Sequence, residues 1–372
     1  MDRLILKSWW KILTVIILMY VIFAGMLVPL KSGVALIDSG NAARTGSEVT
    51  LRVTGYNTHF QTGEDSLRAW LKLDTAHQLA ARRAEVHSQR EASFTFTLPD
   101  YLPSTERVAP FTLIVDNAVD GYFVSPAALL VRQDSIDPAL GVTGWPAGTQ
   151  IAGIHPAPGT TFPFRNILEE TIRNLYFHVS LWLAMMLLFI AALVYAIRFL
   201  RQDRRAAAGT LALDQGILTP RITADFWSTS LTAVGLLFGI LGLLTGSVWA
   251  KYTWGSWWNW DIKQFTTLIA LLIYGGYFVL RAAFTDPEQR ARLAAVYNIF
   301  AFAALIPLLY ILPRLASSLH PGNGGNPALG SDDLDNTMRL VFYPAVIGWT
   351  LFGGWLASLL YRLRRVEEVA ND

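Results

Sequence analysis

Six long apolar stretches divide the sequence, and polar segments separate them. The stretches cover residues 12–29, 175–200, 231–249, 266–284, 293–312 and 340–363. An α-helix needs roughly 20 mainly apolar residues to cross a bilayer, so each stretch is long enough to be a membrane span. A cleavable signal peptide is the competing interpretation of the first, which follows Arg3, Lys7 and Lys11. Its length and the lack of a clean small-x-small cleavage site favour an uncleaved span.

Positive residues are concentrated at alternate connections between these spans. They lie before the first span, between the second and third, between the fourth and fifth, and after the sixth: Arg3, Lys7, Lys11, Arg198, Arg201, Arg204, Arg205, Arg221, Arg281, Arg290, Arg292, Arg362, Arg364 and Arg365. Cytoplasmic segments carry an excess of lysine and arginine, and with six spans all four segments fall on one side. The sequence therefore predicts cytoplasmic N- and C-termini. It places residues 31–174, the loop between spans three and four, and residues 313–338 on the outer face.

The long outer segment has a different pattern. Five stretches alternate apolar and polar residues, as half-buried strands do, and Gly, Pro, Asn and Asp punctuate them. They are EVTLRVTGYNTHF, SLRAWLKLD, EASFTFTLP, FTLIVDN and ALLVRQD. Residues 137–163 are rich in Pro, Gly and Thr, and we interpret them as a linker with some freedom relative to the membrane.

The predicted fold class is an all-α polytopic membrane protein with six transmembrane helices, plus an inserted all-β, sandwich-like domain on the outer face. The predicted division is a first transmembrane helix (1–31), an inserted domain with its linker (32–164) and a five-helix membrane core (165–372). Composition agrees, because 53% of the residues are hydrophobic and only 16% are charged. Soluble domains have about 25% charged residues. The net charge of +2 gives no reason to expect a nucleic acid partner.

Candidate chemistry is limited by the residue types present. The chain has no cysteine, which excludes disulfides, thiolate metal sites and a CxxCH heme attachment within it. Only two of its six histidines, His178 and His320, lie in the membrane portion. The other four, His59, His77, His87 and His155, are expected to be surface residues of the outer domain and its linker.

Tryptophans are concentrated near one of the outer loops. Five of the 13 lie between positions 249 and 260: Trp249, Trp254, Trp257, Trp258 and Trp260. The predicted topology brings this cluster, His178 and His320 to the same membrane face. Two neutral imidazoles from different loops can bind a heme iron from both sides. Indole faces supply the broad apolar wall that a porphyrin needs.

Three smaller residues of this loop fit the same hypothesis. Gly255 would let the backbone approach a ligand closely, and Ser256 adds a small polar contact. Asp261 could fix the loop by accepting N–H bonds, or could orient a ligand.

Ordinary interpretations also exist for each feature. An interfacial histidine is usually a hydrogen-bonded surface residue, an interfacial Trp is usually an anchor, and an Asp beside a span is usually a cap. Anchoring explains Trp9, Trp227 and Trp349, but it explains the cluster of five poorly.

The stretch WGSWWNWD, residues 254–261, resembles the tryptophan-rich signature of the heme-handling WWD family. IRNLYFHVSLW resembles the segment that opens the second span of the heme exporter protein C (CcmC) family of cytochrome c maturation, and SLHPG resembles its second-histidine loop. The resemblance covers residues 1–30 and 165–372. It implies that His178 and His320 are the axial heme ligands. It also implies that the heme-contacting loop consists of Trp254, Gly255, Trp257, Trp258, Trp260 and Asp261.

The resemblance implies a function as well as a site. In that family heme b, bound as cargo, is held at the periplasmic face of the bacterial inner membrane. It is passed to a membrane-anchored heme chaperone, with an ABC-type transporter as partner, so the protein is not an enzyme. Two departures stand out. Ile262, Lys263 and Gln264 follow the motif, where members often have an Arg two places beyond the Asp, and the usually short first outer loop holds the inserted domain.

Three other functions are weighed against heme delivery. A cytochrome c synthase of the WWD type, which attaches heme to CxxCH thiols, typically has more spans. A di-heme electron carrier needs four intramembrane histidines, and the membrane portion has two. A working β-domain on a simple anchor would need only one or two spans.

Overall fold

The structure is a computed structural model that describes residues 2–39, 43–146, 150–207, 219–320 and 334–371. The chain forms two compact units. One unit combines Met1–Leu27 with Thr171–Asp372 and is helical, and the other is Val28–Glu170 and is built mainly of β-strands.

Six of the described helices are long and apolar enough to cross a membrane, which confirms the predicted number of spans. In chain order the helices are α1 (Asp2–Leu27), α2 (Pro138–Thr143), α3 (His178–Ala207), α4 (Pro220–Trp254), α5 (Ile262–Ala283), α6 (Pro287–Ile306), α7 (Leu312–Leu315) and α8 (Asn336–Asn371). Short α2 belongs to the β-rich unit. A π-helical turn, Pro307–Ile311, connects α6 to the single turn of α7.

Capping residues set several helix starts. Thr219 and Asp286 each accept a backbone N–H bond at a helix start where proline is the first helical residue. Proline suits that position because its missing N–H has no partner there in any case. At the second span the structure differs from the apolar pattern. A 3-10 helix, Glu169–Tyr176, precedes α3, so His178 is the first residue of the α-helix.

Close helix contacts hold the helical unit together. Helix α3 packs against α4, α6 and α8, and α1 packs against α8. Phe189 of α3 stacks on Tyr274 of α5 with ring centroids 3.7 Å apart. A Cβ at Gly235 of α4 would come within 2.6 Å of the Phe189 ring. Lipid is as apolar as a leucine side chain, so membrane helices associate through such tight contacts at small residues.

The β-rich unit is a sandwich of two sheets around one apolar core. Its strands are β1 (Gly33–Asp38), β2 (Ala43–Arg44), β3 (Glu48–Tyr56), β4 (Arg68–Lys72), β5 (Gln78–Ala80), β6 (Arg83–Val86), β7 (Glu91–Thr97), β8 (Val108–Asn117) and β9 (Gly121–Arg132). One sheet has the order β1-β3-β7-β6 and the other β2-β9-β8-β4-β5. Each of the five alternating stretches contains a strand or part of one. The short strands β1, β2, β5 and β6 were not predicted.

The segment interpreted as a linker contacts the sandwich at several described residues. Helix α2 begins it, and a Cβ at Gly141 would collide with the backbone of Leu102. The Trp145 indole donates a hydrogen bond to the carbonyl of Gln78 at 3.1 Å. Farther along the segment, the carbonyl oxygen of Phe162 accepts a hydrogen bond from the backbone N–H of Lys31 at 2.7 Å. Composition alone missed these contacts because Pro and Gly also form ordered turns.

Candidate functional site

The described residues of the membrane core bring three segments to one end of the helical unit. They are the start of α3, the loop between α4 and α5, and the residues that follow α7. We call residues 254–261 the Trp loop. His178 lies on the first segment and His320 on the third, so both predicted ligands lie at the same end as this loop.

His178 is fixed through one ring nitrogen. Its Nδ1 lies 2.8 Å from the carbonyl oxygen of Gly242 and 3.3 Å from Oγ1 of Thr245, both on α4. A carbonyl oxygen only accepts hydrogen bonds, so Nδ1 carries the proton. A neutral imidazole protonated at Nδ1 keeps its lone pair on Nε2, the form in which histidine binds metals.

The half-buried ring of His178 lies against a glycine. A Cβ at Gly246 would come within 2.6 Å of the imidazole Cε1. Trp182 and Trp249 complete the surroundings, with ring centroids 6.1 Å and 6.0 Å from the imidazole centroid. Position 246 is therefore restricted to glycine by the close approach of α4 to the imidazole.

His320 is held by the last residue of the Trp loop. Its Nδ1 lies 2.7 Å from Oδ1 of Asp261. The same carboxylate accepts the backbone N–H of Leu319 at 2.8 Å and the hydroxyl of Ser318 at 3.1 Å. It also caps α5 by accepting the backbone N–H of Lys263 at 2.9 Å. Asp261 thus joins the Trp loop, the start of α5 and the His320 segment.

The charge of Asp261 follows from these bonds. The side chain is buried, and burial by itself raises a carboxyl pKa. The hydrogen bonds from His320 and Leu319 outweigh burial, so the pKa of Asp261 is lowered from its ordinary value. The carboxylate is therefore ionised at neutral pH. It accepts a hydrogen bond from Nδ1 of His320, and the neutral imidazole with its proton on Nδ1 has its lone pair on Nε2, as at His178.

The indoles fall into two groups. Trp249 and Trp254 are half-buried and connect the histidines, since Trp249 contacts both His178 and Trp254, and Trp254 lies 4.7 Å from the His320 ring. Trp257 and Trp260 are 54% and 70% exposed. Half-buried Trp258 meets Trp260 edge to face at 5.7 Å. The exposed indoles give this end of the helical unit an apolar surface.

Gly255 has a structural role in addition to the predicted contact with a ligand. It ends α4 in the left-handed conformation, with φ of +85°, and a Cβ there would meet no protein atom within 4 Å. The positive φ by itself favours glycine at this position. Trp260 also has a positive φ, +54°, which is uncommon for a non-glycine residue.

The polar residues that shape the loop were largely missed by sequence reasoning. Ser256 donates to the Asn259 side chain, and the Asn259 backbone N–H donates to Gln264 at 3.0 Å. Nothing in the spacing of these residues, or of Gly246 and Ser318, indicated their roles. Trp182 is the exception, because it lies one helical turn after His178.

The donor set fits a heme. Two imidazoles from different segments each have Nδ1 committed to a protein acceptor, which leaves Nε2 for axial bonds to an iron. Flat indole faces lie at the same end, and no thiol in the chain can attach heme covalently.

Parts of the chain are similar to known proteins. Residues 163–320 match the family model for cytochrome c assembly proteins. The chain is 28% identical to heme exporter protein C of Haemophilus influenzae over 142 residues, 38% of this chain and 57% of the relative. It is 27% identical to that of Escherichia coli K12 over 154 residues, 41% and 59% of the two chains.

A third relative extends the similarity. Heme exporter protein C of Rhodobacter capsulatus is 24% identical over 233 residues, 60% of this chain and 85% of the relative. The matched part of the chain thus spans less than two thirds of the length of the first two relatives. It spans a larger share, 85%, of the third. Residues 163–320, which match the family model, contain His178, the Trp loop and His320.

Proposed function

We propose that this chain handles heme for cytochrome c assembly, because residues 163–320 match the family model for cytochrome c assembly proteins and the chain is similar to heme exporter protein C. It holds one heme b as cargo between His178 and His320, against the Trp loop, and delivers it to a heme chaperone. Release is an exchange of iron ligands, with no covalent bond made or broken in the protein, so the chain is not an enzyme.

One observation carries this proposal. Both histidines use Nδ1 to reach a protein acceptor, at 2.8 Å for His178 and 2.7 Å for His320. Axial histidines depend on such a partner, which fixes the ring orientation and increases the basicity of Nε2. The partners differ in strength, since a carbonyl holds His178 and a carboxylate holds His320. We infer that His320 donates more strongly to iron and that His178 is the ligand that exchanges first.

Membrane orientation follows from charge. The clusters of arginine and lysine lie at the ends of the spans opposite the Trp loop. The excess of positive residues marks the cytoplasmic side, so the Trp loop faces outward and both termini are cytoplasmic. We propose the bacterial inner membrane as the location and subunits of an ABC-type transporter as further partners. The similarity to heme exporter protein C of two bacteria supports a role in a heme transport complex.

The inserted domain, residues 32–164, is proposed to contribute to docking of the heme chaperone. Two imidazoles and the Trp loop already suffice to hold a heme. None of its histidines is needed for that role, and His59 and His155 already use Nδ1 to bond Asp120 and Asp116.

Absorption spectra of the purified full chain test the heme site. His178→Ala and His320→Ala should each shift the Soret band and lower heme occupancy, and added imidazole should partly restore each single variant by filling the vacated position. The matched control is His59→Ala, because His59 has a similar Asp–His hydrogen bond at 2.8 Å. A double variant with an unaltered bis-histidine spectrum would refute the assignment.

A further inference from the structure

A cleft of about 350 Å³ lies at the end of the helical unit opposite the Trp loop. It opens where α4 and α6 begin and where α5 and α8 end. Three of its lining residues are arginines from three different helices: Arg281 of α5, Arg290 of α6 and Arg364 of α8. The proposed heme function uses none of them.

Arg281 already has a partner. Its two terminal nitrogens bond the two carboxylate oxygens of Asp225 on α4, at 2.7 Å and 2.9 Å. Both side chains are nearly buried, at 12% and 10% exposure. This bidentate pair is neutral overall and fixes one wall of the cleft. The charge of Arg281 is therefore already balanced, and its side chain contributes to the cleft as part of the wall.

Arg290 and Arg364 differ from Arg281. The Nε atom of each is buried and has no hydrogen-bond partner among the described residues. Neither guanidinium has a carboxylate within 4.0 Å in the described parts of the chain, although Glu367 and Glu368 also line the cleft. A half-buried cation without a partner is costly, and an anion in the cleft would offset that cost.

The remaining walls indicate what kind of anion fits. Phe226 and Phe278 line the cleft beside the arginines and are half-buried. An oxyanion on an apolar body therefore matches both surfaces. Phospholipid phosphates and heme propionates share this chemistry. None of the described lining residues is a histidine or methionine, so the cleft offers no axial ligand to a heme iron.

We propose that this cleft binds the headgroup phosphate of an anionic phospholipid. Arg290 and Arg364 hold the phosphate oxygens, for which the planar guanidinium is well matched. The acyl chains leave past the two phenylalanines into the bilayer. Basic pockets between helices at the cytoplasmic ends of spans suit anionic headgroups, and the charge pattern places this end on the cytoplasmic side.

Native mass spectrometry of the full chain tests the site. The protein is purified in a nonionic detergent and equilibrated with vesicles of equal parts phosphatidylethanolamine and phosphatidylglycerol. Wild type should retain phosphatidylglycerol selectively. The double variant Arg290→Gln/Arg364→Gln should retain about tenfold less, the size expected from losing a charge-assisted hydrogen bond. Arg364→Lys, which keeps the charge but not the planar donor geometry, should be intermediate.

The control is Arg362→Gln/Arg365→Gln, which removes two exposed charges from the same end of α8. Equal lipid loss in this control would show general attraction rather than a site and would overturn the proposal. Unchanged lipid retention in the cleft variant would also overturn it.

Heme content is measured in the same samples. If the cleft variant loses heme and keeps lipid, the cleft belongs to the propionates. Lipid loss with unchanged heme supports the phospholipid, whatever becomes of the proposed heme site.

Discussion

Oδ1 of Asp261 accepts a hydrogen bond from Nδ1 of His320 at 2.7 Å, across 59 positions of sequence. The same carboxylate caps α5 through the backbone N–H of Lys263. One buried anion therefore sets both the start of a membrane helix and the orientation of a proposed iron ligand. The aspartate of WGSWWNWD is best understood as the connection between two loops.

Replacing Asp261 by Asn should separate these two roles. Asparagine is a good N-cap, so the start of α5 should be kept. The charged acceptor for His320 is lost, and removal of such a partner typically lowers metal affinity about 10- to 100-fold. Heme titration followed by absorption should show that loss, while the helical content measured by circular dichroism should stay unchanged.

The control for Asp261→Asn is Asp286→Ala. Asp286 caps α6 by accepting the backbone N–H of Gln289 at 2.7 Å and lies at the other end of the helical unit. Its loss should cost about 1 kcal/mol of stability and leave heme affinity unchanged. Equal heme loss in both variants would mean that capping, rather than ligand orientation, explains Asp261.

Replacing Gly246 by Ala should displace His178. The new Cβ would come within 2.6 Å of the imidazole Cε1, so the ring must move from its bond with Gly242. Overpacking of this kind costs about 1–3 kcal/mol. The Soret band should shift as in His178→Ala, and imidazole should restore it in part. Gly354→Ala is the control, because no atom lies within 4 Å of the added Cβ.

Some residues of this site were predicted from the sequence, and others were identified only in the structure. His178 and His320 were predicted because a membrane portion with two histidines limits the choice, and charge pattern placed them with the Trp cluster. Gly246 could not be predicted, because glycine is common in membrane helices and its role depends on which side chain faces it across the helix contact. The strand pattern similarly predicted the long strands of the sandwich. It missed β5 and β6, which are too short to show alternation.

Exposed indoles should contribute to heme retention without stabilising the fold. Trp257 is 54% exposed, so Trp257→Ala should leave thermal stability and membrane insertion unchanged. It should weaken heme binding by about 1–3 kcal/mol, from roughly 25 cal/mol per Å² of apolar contact. Trp9 is similarly exposed, at 58%, and Trp9→Ala is the control. Equal effects of the two substitutions would favour membrane anchoring as the role of the cluster.

Acidification should weaken the hydrogen bonds of the Asp261 carboxylate only at low pH. Burial opposes ionisation there, but hydrogen bonds from His320 and Leu319 prevail and lower the folded-state pKa. A depressed carboxyl pKa contributes stability above the unfolded value, about 4, and loses it as pH falls through the folded value. The stability difference between wild type and Asp261→Asn should therefore not shrink between about pH 7 and 5, and should shrink only below about 4. Thermal denaturation across this pH range measures the stability difference. A decrease in that difference above pH 5 would contradict the assigned hydrogen bonds.

Deleting the inserted domain should separate heme holding from heme transfer. The chain enters and leaves the domain side by side. Phe162 accepts the backbone N–H of Lys31 at 2.7 Å and donates its own to Pro29 at 2.9 Å. A short linker from Lys31 to Arg165 can therefore replace residues 32–164 without stretching the chain. None of the proposed heme ligands or indoles is removed.

Heme content of the shortened protein should match that of wild type, because both imidazoles keep their Nδ1 partners within the helical unit. Transfer of heme to the chaperone, followed as loss of the Soret signal from the purified protein, should slow. The control inserts an equivalent linker between Thr75 and Ala76, in an exposed turn of the sandwich, and leaves the domain in place. If the shortened protein keeps its helical content but loses heme, the domain is part of the binding site. If transfer is as fast as in wild type, the domain has no role in docking the chaperone.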